Sequence, residues 1–363
     1  MTDLDNARKI ISEADKEIAA LFEKRMKAAE LVAKYKKEHG LSILDTAREK
    51  ELIAKNAEYI EDPIIREYYV CFLKETMALS RDYQSRLNFG MKVAYSGVPG
   101  AFAYIAAKRM FPEAKLISYP NFEDAYRAVE NGEADTVVLP IENSFAGDVG
   151  TVMDLLFSGS LYINQVTDIS IEHNLIACDG ANLDTVRTVI SHEQALSQCA
   201  EYIKARGYDT QVYPNTAMAA KHVKELNDLS FAAVASSETA AIYGLKILAS
   251  KINTSNTNTT RFAAFSRSQH TLDKKTGKMN QSFILVFTVR NEAGALAKTL
   301  DIIGAHNFNM RNLRSRPMKE LMWNYYFFIE AEGNINSQDG KDMLRELSAT
   351  CDKLKLAGVF YSK

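Results

Sequence analysis

The chain has 363 residues, 47% hydrophobic and 25% charged, with a formal net charge of -2. One core seldom holds so many residues, so two to four domains of an ordinary soluble composition are expected. The near-neutral balance exerts no overall pull toward nucleic acid or a membrane, no apolar run approaches the roughly 20 residues of a membrane helix, and Cys71, Cys178, Cys199 and Cys351 are too scattered for a metal or redox motif.

Met1-Thr2-Asp3-Leu4-Asp5 is acidic and lacks the basic and apolar regions of a signal peptide, so a cytoplasmic protein without a structural metal is expected. From 4 to 37 there is no Pro or Gly, and Leu4, Ala7, Ile11, Ala14, Ile18, Leu21, Ala28 and Val32 recur at helical spacing. Such a helix spans roughly 50 Å. Two short following helices cannot cover it, so a partner chain is expected against it. A second helix fits 44–59 and a third 63–87, with Asp62 as N-cap and Pro63 at the first helical position.

Arg25 and Lys36 share one helix face, whereas Arg8 points about 100° away from Arg25 and suits a different site, such as one in a partner subunit. Asp45, Arg48 and Glu49 share a face of the second helix, and Ser80 and Gln84 share one of the third. Taken together, these eight positions resemble the active-site set of the all-helical chorismate mutases. The resemblance implies that Arg25 and a partner's Arg8 grip the substrate carboxylates, with Asp45, Arg48 and Ser80 supporting the site. Lys36 and Gln84 would face the ether oxygen, and Glu49 the substrate hydroxyl. A pericyclic rearrangement needs no nucleophile. It needs a dianion held folded and its developing charge met by preorganised cations.

From 92 onward strands are expected at 92–96, 115–119, 136–140, 174–177, 185–190, 211–213, 230–235 and 246–249. Helices are expected from 102 and at 122–131, 148–157, 193–206, 216–226 and 237–243. That alternation argues for α/β layers with mostly parallel sheets. The Gly97-Val98-Pro99-Gly100 turn lacks GxGxxG spacing and no GxxxxGK[ST] loop exists, so no nucleotide cofactor is indicated. Near the end of the stretch, Asn256-Thr257-Asn258-Thr259-Thr260-Arg261-Phe262 opens onto the strand-like Ala263-Ala264-Phe265.

This stretch resembles the prephenate dehydratases. Ser96 to Phe102, Pro140-Ile141-Glu142-Asn143-Ser144-Phe145-Ala146-Gly147, Ser191-His192-Glu193-Gln194-Ala195-Leu196-Ser197-Gln198-Cys199, Asn215-Thr216-Ala217 and Asn258 to Phe262 follow in the family's order. The resemblance implies two lobes, as in periplasmic binding proteins, with the active site in the cleft between them. Thr260 would donate the proton to the departing hydroxyl. Glu142, Asn143, Ser191, Gln198, Thr216 and Arg261 would bind substrate, and His192 reads as a structural strand-end histidine. Pro214 stands where some members carry an acidic residue.

The polar stretch 269–280 reads as a linker. Strands at 282–289, 310–317, 324–329 and 356–361, with helices at 295–303 and 338–350, give the βαββαβ order of a ferredoxin-like domain. It resembles an ACT domain. The Gly294-Ala295-Leu296 turn matches that family's phenylalanine-binding turn, which implies effector contacts from Asn291, Gly294, Ala295, Leu296, Ser315 and Arg316. The family's Glu-Ser-Arg-Pro motif stands here as Arg314-Ser315-Arg316-Pro317, a charge reversal at its first position.

Three domains are thus expected: a three-helix unit at 1–90, a two-lobed α/β unit at 91–268 and an α+β unit at 280–363. The combined resemblance implies a bifunctional enzyme of phenylalanine biosynthesis, at least a homodimer. It would convert chorismate to prephenate and prephenate to phenylpyruvate, with phenylalanine as inhibitor and no cofactor. Two readings stay open beside it: an amino-acid-sensing or binding protein with one decayed catalytic domain, and arogenate as the dehydratase substrate.

Overall fold

The computed structural model describes residues 2–255, 257–269, 280–318 and 324–362. Asn256 and most of the expected linker lie outside them. The chain divides into two compact units, Met1–Met91 and Lys92–Lys363.

The first unit is three helices: α1 (Asp3–Glu38), α2 (Thr46–Ala57) and α3 (Pro63–Phe89). Thr2 and Asp5 form a capping box at the start of α1. Asp45 caps α2 through the Arg48 N–H, and Asp62 caps α3 ahead of Pro63. α1 and α3 run in the same direction, since Arg25 donates to the Thr76 carbonyl and, further along both helices, the Asn88 side-chain amide donates to the Ala33 carbonyl. The 36-residue α1 buries only Ala29 and Ala33, while Leu4, Ile11, Ile18 and Leu21 are exposed.

The second unit begins with β1 (Lys92–Ser96), α4 (Phe102–Met110), β2 (Lys115–Tyr119), α5 (Phe122–Glu130), β3 (Thr136–Asn143), β4 (Gly147–Asp148), α6 (Gly150–Ser158) and β5 (Tyr162–Ser170). The chain then crosses to another sheet: β6 (Asn174–Ala177), β7 (Thr188–Ser191), α7 (Glu193–Gln198), α8 (Ala200–Arg206), β8 (Asp209–Val212), α9 (Thr216–Leu226), β9 (Phe231–Ala235), α10 (Ser237–Tyr243) and β10 (Lys246–Ala249). It returns along 250–258 into β11 (Thr259–Ser266). Last come β12 (Asn280–Thr288), α11 (Ala295–Ala305), β13 (Asn309–Pro317), β14 (Tyr325–Glu332), α12 (Gln338–Thr350) and β15 (Lys353–Ser362).

Three expectations change. The helix expected over 193–206 is two helices, because the Gln198 carbonyl accepts from the Thr254 N–H and hydroxyl instead of continuing the helix. The sheets are mixed, not mostly parallel: β11 pairs antiparallel with β5 and β3, and β6 with β9 and β10. Finally, the C-terminal βαββαβ segment does not stand apart. Its strands continue the larger sheet in the order β13-β14-β12-β15-β5-β11-β3-β1-β2.

The seam of that sheet is the parallel bridge from Gly358 to Ile163. A Cβ at Gly358 would sit 2.6 Å from the Ile163 carbonyl oxygen, so the seam requires glycine. One apolar cluster runs across it, with Ile163, Phe265 and Leu156 packed beside Val286, Phe328 and Phe360. The second sheet, β10-β6-β9-β7-β8, has its own core on each face.

Candidate functional site

Between the two sheets lies a cleft of about 600 Å³. Its walls include Thr260, Phe262, Asn143 and Asn258 from the larger sheet and its return crossing, and His192, Gln194, Gln198 and Thr216 from the second. Among the described residues no Arg, Lys, Asp or Glu lines it. Four helices begin at its rim: α4 at Phe102, α5 at Phe122, α7 just after His192 and α9 at Thr216. Unpaired N–H groups and the positive dipole ends make such termini ready anion sites.

Thr260 is buried, and its Oγ1 accepts from Asn143 Nδ2 at 2.8 Å. Asn143 is oriented by its own oxygen, which accepts the N–H groups of Phe145 and Ala146 at 3.0 and 2.9 Å. Asn143 Nδ2 also reaches Asn258 Oδ1 at 2.9 Å, and Asn258 Nδ2 reaches Gln198 Oε1 at 2.9 Å. Among the described residues nothing accepts the Thr260 hydroxyl proton. His192 Nδ1 accepts the Gln194 N–H and caps α7, a structural role. A histidine that sequence reasoning missed, His173, lines the cleft as well.

Three of the expected residues lie elsewhere. Arg261 sits between Thr260 and Phe262 on β11, and successive strand residues face opposite sides, so it points away from the cleft. It grips Glu330 through two bonds of 2.7 and 3.0 Å. Glu142, beside Asn143, likewise turns from the cleft and pairs with Arg314 at 2.5 Å. Ser191 is fully buried, donating to the Val234 carbonyl at 2.7 Å, and ties β7 to β9.

The Arg261–Glu330 pair yields a stability prediction. The Glu330 side chain is 5% exposed and that of Arg261 23%. Truncating Glu330 removes the buried partner of Arg261, so Glu330→Ala is expected to cost about 3 kcal/mol, toward the low end because Arg261 keeps some water and lies 3.9 Å from Asp168. Urea unfolding of the variant measures this; an unshifted midpoint would mean the pair adds nothing.

In the helical unit, the Arg25 guanidinium donates to the Thr76 carbonyl at 3.4 Å and the Lys36 ammonium to that of Ile43 at 2.5 Å. Ser80 and Gln84 are buried on α3, and the Gln84 side-chain oxygen has no partner among the described residues. Glu49 pairs with Arg81 at 2.5 Å, a cation that the sequence reading did not single out. Asp45 is occupied as the α2 N-cap and Arg48 pairs with Glu51 at 2.8 Å in solvent. Arg8 is exposed, and its 17 positions from Arg25 amount to about 25 Å of helix, so one chain does not bring the two together.

In the C-terminal segment, Gly294 adopts the left-handed φ of +84° that opens α11. Gly294 and Ala295 line a shallow cavity with Arg290, Lys298 and Asp352, while Leu296 packs into the core beneath. Asn291 precedes this turn. Ser315 and Arg316 do not join it: Ser315 is exposed on β13, and Arg316 pairs with Asp154 at 3.2 Å. Arg314 holds Glu142 and Asp148 together, so the charge reversal noted in the sequence has a structural use.

Comparison with known proteins follows the same division. The family model described as prephenate dehydratase matches residues 93–270, and that described as chorismate mutase type II matches 7–85. The bifunctional chorismate mutase/prephenate dehydratase of Aquifex aeolicus is 30% identical, with 99% of this chain and 98% of that one covered. Among solved structures, the prephenate dehydratase of Arthrobacter aurescens in complex with L-Phe is 26% identical, with 75% of this chain and 90% of that one covered, at a TM-score of 0.69. GqqA, described as a novel type of quorum quenching acylase, is 30% identical over 75% of this chain and 98% of its own, also at 0.69.

Proposed function

The chain belongs to the bifunctional chorismate mutase/prephenate dehydratase family, and we propose that its two reactions run at two separate places: the first among the charges of α1–α3, the second around Thr260. It rearranges chorismate to prephenate and converts prephenate to phenylpyruvate, as an enzyme of phenylalanine biosynthesis. A shared fold alone would not choose this chemistry, since an acylase has it too. The match along both units does.

The observation that carries the second assignment is the Asn143–Thr260 hydrogen bond. It fills the acceptor side of the hydroxyl and leaves its proton for the substrate. Prephenate carries two carboxylates and a ring hydroxyl. The helix N-termini at the rim offer the carboxylates N–H donors without a side-chain cation. Thr260 donates to the departing hydroxyl while carbon dioxide leaves from the ring, and aromatisation supplies the drive that a weak acid lacks. Asn143, Gln198 and Thr216 are the supporting polar groups.

For the first reaction, Arg25 and Lys36 supply positive charge, and the unpartnered Gln84 amide is free to turn toward the ether oxygen. Glu49 takes the substrate hydroxyl. The distance to Arg8 and the bare apolar stripe of α1 support a homodimer in which the partner's Arg8 completes the site. Four free thiols suit a reducing cytoplasm. The βαββαβ segment reads as an ACT domain and the two lobes as a periplasmic-binding-protein-like pair. Phenylalanine would act at the Gly294 turn, as its presence in a related dehydratase structure supports.

A single assay tests the whole reading. Supplied with chorismate alone, the protein is expected to release phenylpyruvate, and added phenylalanine to slow it. Binding without product would sink the assignment; product formation indifferent to phenylalanine would remove the effector.

A further inference from the structure

Thr260 and Gln198 belong to different sheets, yet a continuous run of side chains joins them. Thr260 and Asn143 lie on the larger sheet, Asn258 on the return crossing, and Gln198 at the end of α7. The run ends on His173, in the outgoing crossing between β5 and β6, whose Nε2 lies 3.0 Å from Gln198 Oε1. Both crossings are latched to each other. The His173 N–H donates to Asn253 Oδ1 at 3.1 Å, and the Ile252 N–H to the His173 carbonyl at 2.8 Å.

The proton positions follow from one end. The Asn143 oxygen is taken by two backbone N–H groups, so its nitrogen faces Thr260 and Asn258. Asn258 must then present its oxygen to Asn143 and its nitrogen to Gln198. Gln198 therefore presents an oxygen, which only accepts, and His173 must carry its proton on Nε2. His173 Nδ1 is left bare, buried and without a partner among the described residues. His173 is 2% exposed, and burial holds its pKa below the usual histidine value, so the neutral form that this arrangement requires is the stable one.

We propose that His173 is a positioning residue for the dehydratase step: its Nε2–H holds the Gln198 carboxamide oxygen where it accepts from Asn258, and so holds Asn258 in place against Asn143, whose own amide, set by the Phe145 and Ala146 N–H groups, donates to Thr260. The inference rests on Thr260 as the proton donor. The run spans both lobes, so it ties the Thr260 side of the cleft to the Gln198 side where the two crossings meet.

Two variants test it in the full-length protein. His173→Leu fills the space without a donor, and His173→Gln restores an N–H at a similar reach. With prephenate supplied, kcat is expected to fall about 10- to 100-fold in His173→Leu with KM little changed. His173→Gln should recover most of the rate. Chorismate consumption, which depends on the separate helical unit, should stay unchanged in both, and an unshifted urea-unfolding midpoint reports that the second unit, which carries His173, is folded. A rise in KM at constant kcat, a Gln variant as poor as the Leu variant, or loss of folded protein in both assigns the ring to packing and overturns the proposal. Full dehydratase rate in His173→Leu overturns it too, but leaves Thr260 untouched; full rate in Thr260→Ala instead removes the donor reading on which it rests.

Discussion

With prephenate supplied, Thr260→Ala is expected to lose phenylpyruvate formation by roughly 10²- to 10⁴-fold, the usual range for a positioned proton donor. The alanine keeps the β-strand and removes only the hydroxyl and one methyl group. Asn143 Nδ2 would keep its bond to Asn258, so the amide run survives while its terminal donor is gone. Thr260→Ser should retain part of the rate, because the hydroxyl remains but loses the χ1 stiffness of a β-branched side chain. Chorismate consumption should be unaffected, since the helical unit forms its own compact body. A Thr260→Ala protein that turns prephenate over at the normal rate would transfer the donor role to another group in the cleft.

Arg25→Ala should do the reverse. Loss of a preorganised charge at a developing anion costs on the order of 10²- to 10³-fold, so chorismate consumption should fall by about that factor. Arg25 is half-buried and, among the described residues, anchored only by the Thr76 carbonyl at 3.4 Å, a weak tie that leaves the guanidinium available to a carboxylate. With prephenate supplied, phenylpyruvate formation should be normal. Equal loss of both reactions would mean that the arginine supports the fold of the whole chain. An unchanged mutase rate would take Arg25 out of the site.

The sequence was most legible where a local rule decides the structure. α1 and α3 follow from a helical apolar pattern, from Asp62-Pro63 at one start and from the lack of Pro or Gly within 4–37. The nine-residue β5 was missed because a bulge at Asn164 breaks its alternation: Gln165 pairs with Ala264 and Ile163 with Phe265. Arg261 was legible in principle. If Thr260 faces the cleft, its strand neighbour cannot, and the motif's adjacency obscured the two-residue period. Glu142 and Asn143 divide in the same way. His173 gave no signal, because its setting consists of two chain crossings about eighty positions apart in sequence. The joining of the C-terminal segment to the larger sheet was equally hidden, since it depends on one close approach at Gly358.

The most direct test of two separate sites is phenylpyruvate formation from chorismate by an equimolar mixture of the Thr260→Ala and Arg25→Ala proteins. Each alone should be nearly silent, the first stopping at prephenate and the second never forming it. The mixture should produce phenylpyruvate, because prephenate made by one protein is consumed by the other. A mixture as silent as its components would contradict the division between the helical unit and the cleft.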